Sequence, residues 1–231
     1  MKCLGIVGGL GPESTIEYYR FILEGYRARV PDGSAPHLII DSLDVNHGIA
    51  MLDAGDLREL ADYITDSVQR LAGAGAALAL IAANTPHIVF QEVERRVPIP
   101  MLSIVQATCD HAREHGFTRL ALLGTGFTMG AQFYPEVFTR AGLTLITPAL
   151  PEQSFLHDKY IHELLANKFV PETRGAILAI IERLRNEEEV EAVVLAGTEL
   201  PLLLRGAEPE GLSFLDTTMV HVRAAVDAIL D

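Results

Sequence analysis

Leu78–His87 reads LALIAANTPH, and its change of character part-way along decides the fold class. With Ala77 it opens on the uninterrupted apolar run Ala77–Ala82. A run that short and that uniformly apolar suits a strand covered on both faces, as in a parallel sheet. The next residues, Ala83-Asn84-Thr85-Pro86-His87, are small and polar. Asn84 or Thr85 supplies a cap for a following helix, with Pro86 in its first turn. Strand, polar turn and helix start form the unit from which parallel α/β domains are built.

The same unit recurs outward along the chain. Ala192–Pro201, AVVLAGTELP, repeats it in the second half. GIVGGLGPESTIEYY from Gly5 has its counterpart in LALLGTGFTMGAQFY from Leu120, and LSIVQATCDHAREH from Leu102 in LDTTMVHVRAAV from Leu215. Two similar doubly wound parallel-sheet domains related by a pseudo-twofold follow, with the turns gathered at strand C-terminal ends in a cleft between them. The expected division is 1–104 plus 214–231 for the first domain and 105–213 for the second, the last helix crossing back to the first. The patterning also predicts helices over Pro12–Arg27, Asp56–Ala74 and Lys159–Asn167, and a loop over Pro148–Phe155 with its two prolines.

Composition narrows the function classes. The chain has 231 residues and a net charge of −13. That charge repels a phosphate backbone, and no Lys/Arg cluster offsets it, so no nucleic-acid partner is expected. No apolar run reaches the roughly 18–20 residues that span a bilayer, and the first residues, MKCLGIVGGLGPEST, are too short and glycine-broken for a signal peptide. No membrane partner and a cytoplasmic location are expected. Two cysteines, Cys3 and Cys109, are too few for a disulfide framework, and no Cys/His spacing suggests a metal site. Both read as small apolar residues rather than reactive thiols.

Four turns carry the candidate chemistry. Gly8–Thr15 (GGLGPEST) follows a strand and opens a helix, so Gly9 brings backbone close to an anion at the helix N-terminus, or simply makes a tight turn. Its spacing is neither a dinucleotide nor a P-loop motif, and no cofactor is expected. Asn84 and Thr85 either hold a substrate carboxylate or only cap their helix. Thr125 and Thr128 add hydroxyls at another strand end, and Thr198 and Glu199 at a fourth. Glu199 is either a general base or a cap residue facing the helix dipole. His87 and His221 are either titratable cleft residues or structural histidines inside helices.

Taken together, Gly8-Gly9 with Glu13-Ser14-Thr15, Asn84-Thr85-Pro86-His87, Leu122–Met129, Thr198-Glu199, and Asp216-Thr217 with His221 resemble the aspartate/glutamate racemase family in order and separation. The resemblance covers nearly the whole chain. It implies cofactor-independent removal and return of an α-proton by two residues on opposite faces, usually cysteines, and it implies a homodimer. The two cysteine positions are Ala83 and Gly197 here, and neither side chain moves a proton. The segment from Asp41 to Leu57, where relatives place substrate contacts, contains Asn46 and His47 but no Lys or Arg, which disfavours a dicarboxylate. A distal carboxylate would have to be held from elsewhere, for example by Arg58. The expected function is therefore an isomerase or lyase of the racemase superfamily acting on a small amino or carboxylic acid, not a conventional two-thiol enzyme. Glu199, His87, His47 and His221 are the candidate acid–base residues, and Gly9, Asn84, Thr85, Thr125, Thr128 and Thr198 the candidate binding residues. The alternative is a non-catalytic carboxylate-binding or regulatory protein on the same scaffold.

Overall fold

The computed structural model describes residues Met1–Asp231. In chain order the elements are β1 (Leu4–Gly8), α1 (Pro12–Arg29), β2 (Leu38–Ser42), α2 (Val45–Ala54), α3 (Leu57–Gly73), β3 (Leu78–Ile81), α4 (Phe90–Arg96), β4 (Met101–Leu102) and α5 (Ile104–Glu114). There follow β5 (Arg119–Gly124), α6 (Gly126–Gly130), α7 (Phe133–Arg140), β6 (Thr144–Ile146), α8 (Leu150–His162), α9 (Pro171–Glu188), β7 (Ala192–Ala196), α10 (Leu200–Leu204), β8 (Ser213–Asp216) and α11 (Thr217–Leu230). The strands form two parallel four-stranded sheets, ordered β2-β1-β3-β4 and β6-β5-β7-β8. The second order is the first advanced by four strands, as the internal repeats require. The chain is therefore α/β with two similar doubly wound units.

The first unit comprises Met1–Ala107 with Thr218–Asp231, and the second Thr108–Thr217. The crossings thus lie a few residues beyond 104 and 213, inside α5 and at the start of α11. In the first unit, strand alternation sends Leu4, Ile6, Leu78, Leu80 and Ala82 to one face. There they pack with Tyr18 and Ile22 of α1 and with Val222, Ala225, Val226 and Ile229 of α11. Val7, Ala79, Ile81 and Ala83 point to the other face, against Leu60, Ile64, Val68 and Leu71 of α3. That α3 row follows helical spacing and is fully buried or nearly so. Each such side chain contributes about 1.5–3 kcal/mol by leaving water. In the second unit, Ala121, Leu123, Val193 and Leu195 face Leu156 and Tyr160 of α8, Ile177 and Ile181 of α9, and Leu200 and Leu203 of α10.

Two expectations need correction. Pro148–Phe155 is not a loop, because α8 begins at Leu150. Pro151 occupies its first turn, where the missing N–H costs nothing, and the Glu152 carboxylate accepts from the Ala149 N–H at 2.9 Å. The helix expected over Lys159–Asn167 ends at His162, followed by a 3-10 turn at Leu164–Ala166. The segment after Asp44 is the helix α2, with the Asp44 side chain accepting from the Asn46 N–H at 2.8 Å. No helix of the chain is long and apolar enough to cross a membrane.

Candidate active site

In the first unit the turn after β1 is closed on itself. Gly9 has φ +80°, and a Cβ there would lie 2.1 Å from the Leu43 carbonyl oxygen. Only glycine fits. Its N–H donates to Thr15 Oγ1 at 2.8 Å, and the Thr15 hydroxyl donates onward to the Gly11 carbonyl. The N–H expected to meet an anion is already used by the turn. Ser14, buried, donates to the Ala82 carbonyl at 2.8 Å and ties α1 to the end of β3.

After β3, Thr85–Val89 is a 3-10 turn, and the Asn84 side chain makes no capping bond to it. The cap expected from Asn84 is absent because the chain stays helical through that residue (φ −81°, ψ −55°), whereas a capping side chain requires extended backbone. His87 is 2% exposed. Its Nε2 accepts from the Ile104 N–H at 3.2 Å, so the ring proton sits on Nδ1 and is donated to the Ala83 carbonyl at 2.9 Å. His221 is fully buried. Its Nε2–H donates to the Leu102 carbonyl, leaving Nδ1 to accept from the Tyr18 hydroxyl at 2.8 Å. Both tautomers are thereby set.

Burial lowers the His87 pKa to about 3, helped by repulsion from His221, and burial lowers that of His221 to about 4. The two rings are neutral in this structure, with both nitrogens of each hydrogen-bonded. His47 lies on the exposed side of α2, edge-on to Tyr63 at 5.0 Å. The expected roles of His47 and of Arg58, exposed on α3, gain no geometric support.

The second unit concentrates polar groups at the ends of β5 and β7. Thr125 caps α6, its Oγ1 accepting from the Thr128 N–H at 3.2 Å, with the two hydroxyls also 3.2 Å apart. Gly126 N–H donates to His157 Nδ1 at 3.2 Å, and Phe127 stands edge-on to the same ring. At the end of β7, Glu199 is 3% exposed. It precedes α10, but its carboxylate makes no capping bond. Instead Oε2 accepts a short hydrogen bond from the Tyr160 hydroxyl and a second from Thr198 Oγ1 at 2.9 Å. The Tyr160 hydroxyl also accepts weakly from the Glu199 N–H at 3.4 Å. Burial, followed by the Glu199 charge, raises the Tyr160 pKa well above 10, so the phenol holds its proton.

A buried carboxylate costs several kcal/mol unless it is hydrogen-bonded, and each bond to a charged group returns about 1.5–3 kcal/mol. The Tyr160 and Thr198 hydroxyls both help sustain Glu199 in its buried position. Of the four candidate acid–base residues, Glu199 alone combines burial, a strand-end position and side-chain donors. Tyr160 and His157, its neighbour one turn earlier on α8, went unnoticed in the sequence. The signal for them was the Pro151-Glu152 helix start. Neither cysteine is an activated thiol: burial pushes both upward, and Cys109 points into α7 at the Val137 carbonyl.

Known proteins agree with this architecture. The family description Asp/Glu/Hydantoin racemase matches residues 7–225. The broad specificity amino-acid racemase RacX of Bacillus subtilis is 22% identical to the chain, over 98% of each. An aspartate racemase homologue from Pyrococcus horikoshii superposes with a TM-score of 0.84 at 32% identity, over 100% of both chains. A candidate Asp/Glu racemase from Yersinia pestis does so with a TM-score of 0.90 at 29% identity, again over 100% of both. With paired parallel sheets, the family's turns in order and a match from residue 7 to 225, the chain belongs to the Asp/Glu/Hydantoin racemase family.

Proposed function

We propose that this chain catalyses cofactor-independent proton transfer at the α-carbon of a small amino or carboxylic acid, as an isomerase or lyase, with Glu199 as the acid–base group. The observation that carries this is the buried Glu199 carboxylate, held by Tyr160 and Thr198 two residues beyond the family's second thiol position. With Ala83 and Gly197 at the thiol positions, a carboxylate takes over the thiol's work. Glu199 removes the α-proton. The carbanion then takes a proton from solvent water on the face opposite Glu199, giving an isomerase, or expels a β-substituent with its bonding electrons, giving a lyase. Such a base contributes roughly 10²–10⁴-fold. An amino-acid substrate is supported by family membership and by the amino-acid racemase named among its relatives.

Incubation with L- and D-amino acids and hydroxy acids in D₂O, read by NMR, tests this. Wild type incorporates α-deuterium from at least one substrate, and Glu199→Gln slows it about 10²–10⁴-fold. Binding by thermal shift with no deuterium incorporation across the panel refutes catalysis and leaves a ligand-binding protein. We also propose, on resemblance alone, a cytoplasmic homodimer. Light scattering at the monomer mass of 25.2 kDa rejects the dimer.

A further inference from the structure

Gly197 and Tyr160 compete for one volume. A Cβ placed on Gly197 would lie 2.4 Å from Tyr160 Cε2, 2.8 Å from its Oη and 2.9 Å from its Cζ. All are far inside van der Waals contact. The backbone at Gly197 is not left-handed, so glycine is required there by the tyrosine ring rather than by φ. The ring arrives from α8, and α8 is anchored at the neighbouring strand end by the Gly126–His157 hydrogen bond. Tyr160 is buried, and its hydroxyl goes to Glu199.

We infer that Tyr160 is the positioning residue for the base that stands in for the second thiol: its ring occupies the volume of a side chain at 197, and its hydroxyl fixes the Glu199 carboxylate there. This rests on Glu199 being the acid–base group. It also explains why Gly197 differs from Ala83: the second position is filled by another residue, so a side chain at 197 has to displace the Tyr160 ring. The raised phenol pKa fits a donor that stays protonated and orients the carboxylate rather than exchanging protons itself. A thiol restored at 197 alone would have to expel Tyr160 and disconnect Glu199.

Two measurements test it. Tyr160→Phe keeps the ring and removes the donor. Its rate of α-deuterium exchange falls about 10–100-fold, the equivalent of one hydrogen bond to a charged group, with KM little changed. The Glu199 carboxyl, followed by ¹³C NMR titration, moves to higher pH, because its charged form has lost a donor. An unmoved Glu199 titration overturns the positioning role, and that reading needs no turnover. Separately, Gly197→Ala lowers the Tm by on the order of 5 °C in wild type through overpacking, but not in a Tyr160→Ala background. Equal losses in both backgrounds overturn the shared volume. Absence of deuterium exchange in wild type would refute the proposed function, while the titration and the stability cycle still decide this inference.

Discussion

Lowering the pH from 7.0 to 5.5 destabilises the first unit through His87 and His221. Both rings ionise at 6.5 when unperturbed and are held down in the fold to about 3 and about 4. A depressed folded pKa gives stability that is complete above the unfolded value and is lost as pH falls from there towards the folded one. At pH 5.5 the unfolded chain carries about 0.9 proton on each ring and the folded chain almost none, so each histidine costs about 1.3 kcal/mol relative to pH 7.0, and the pair about 2.5 kcal/mol. The folded values lie so far below 5.5 that their size hardly enters. The sequence pI is near 5.0, which makes 5.5 a practical lower limit.

Urea unfolding at the two pH values measures the loss. The control is the double variant His87→Asn, His221→Gln. Asn retains a donor where His87 Nδ1–H meets Ala83, and Gln retains one where His221 Nε2–H meets Leu102. Carboxylates held low by partners, such as Glu152 beside Arg183 and Glu191 under the Thr118 and Arg119 N–H groups, contribute equally to both proteins and cancel. The variant should lose about 2.5 kcal/mol less than wild type over this range. Equal losses would refute the neutral, tautomer-locked description of the two rings.

Gly9→Ala forces a Cβ against the Leu43 carbonyl at φ +80°, and chemical denaturation should show a loss of at least about 2 kcal/mol. Replacing both Cys3 and Cys109 by Ala, or alkylating the protein with iodoacetamide, should leave α-deuterium exchange within about twofold of wild type, since neither thiol is activated; inactivation would point to a thiol mechanism. Thr125→Val removes the cap on α6 and should cost about 1 kcal/mol in urea unfolding.

The parallel sheets were legible because buried strands such as Ala77–Ala82 and Ala192–Ala196 carry no polar residue, and that pattern needs covering helices on both sides. The turn residues were legible as types but not as roles. Capping, carboxylate binding and catalysis all call on Asn, Thr and Glu, and only geometry separates them. Thr125 caps, Asn84 does not, and Glu199 turns away from its helix towards Tyr160. The histidines looked titratable because composition does not report which backbone groups saturate a ring. Tyr160 was out of reach for two reasons. Its helix was partly masked by the prolines at 148 and 151, and its partner Glu199 lies 39 residues away, a separation that leaves no periodic trace.

The placement of α11 has a consequence for the order in which the chain matures. Val222, Ala225, Val226 and Ile229 complete the core beneath Leu4, Ile6 and Tyr18, and the Lys2 N–H is bonded to the Ile229 carbonyl at 3.1 Å. The second unit is one unbroken segment, Thr108–Thr217. During vectorial synthesis, where domains close as units, the half that begins first must wait with an open flank until the final helix leaves the ribosome. The half that begins later is free to finish before it. The amino-terminal portion is thus the longer-lived nascent species, and the one that chaperones would meet.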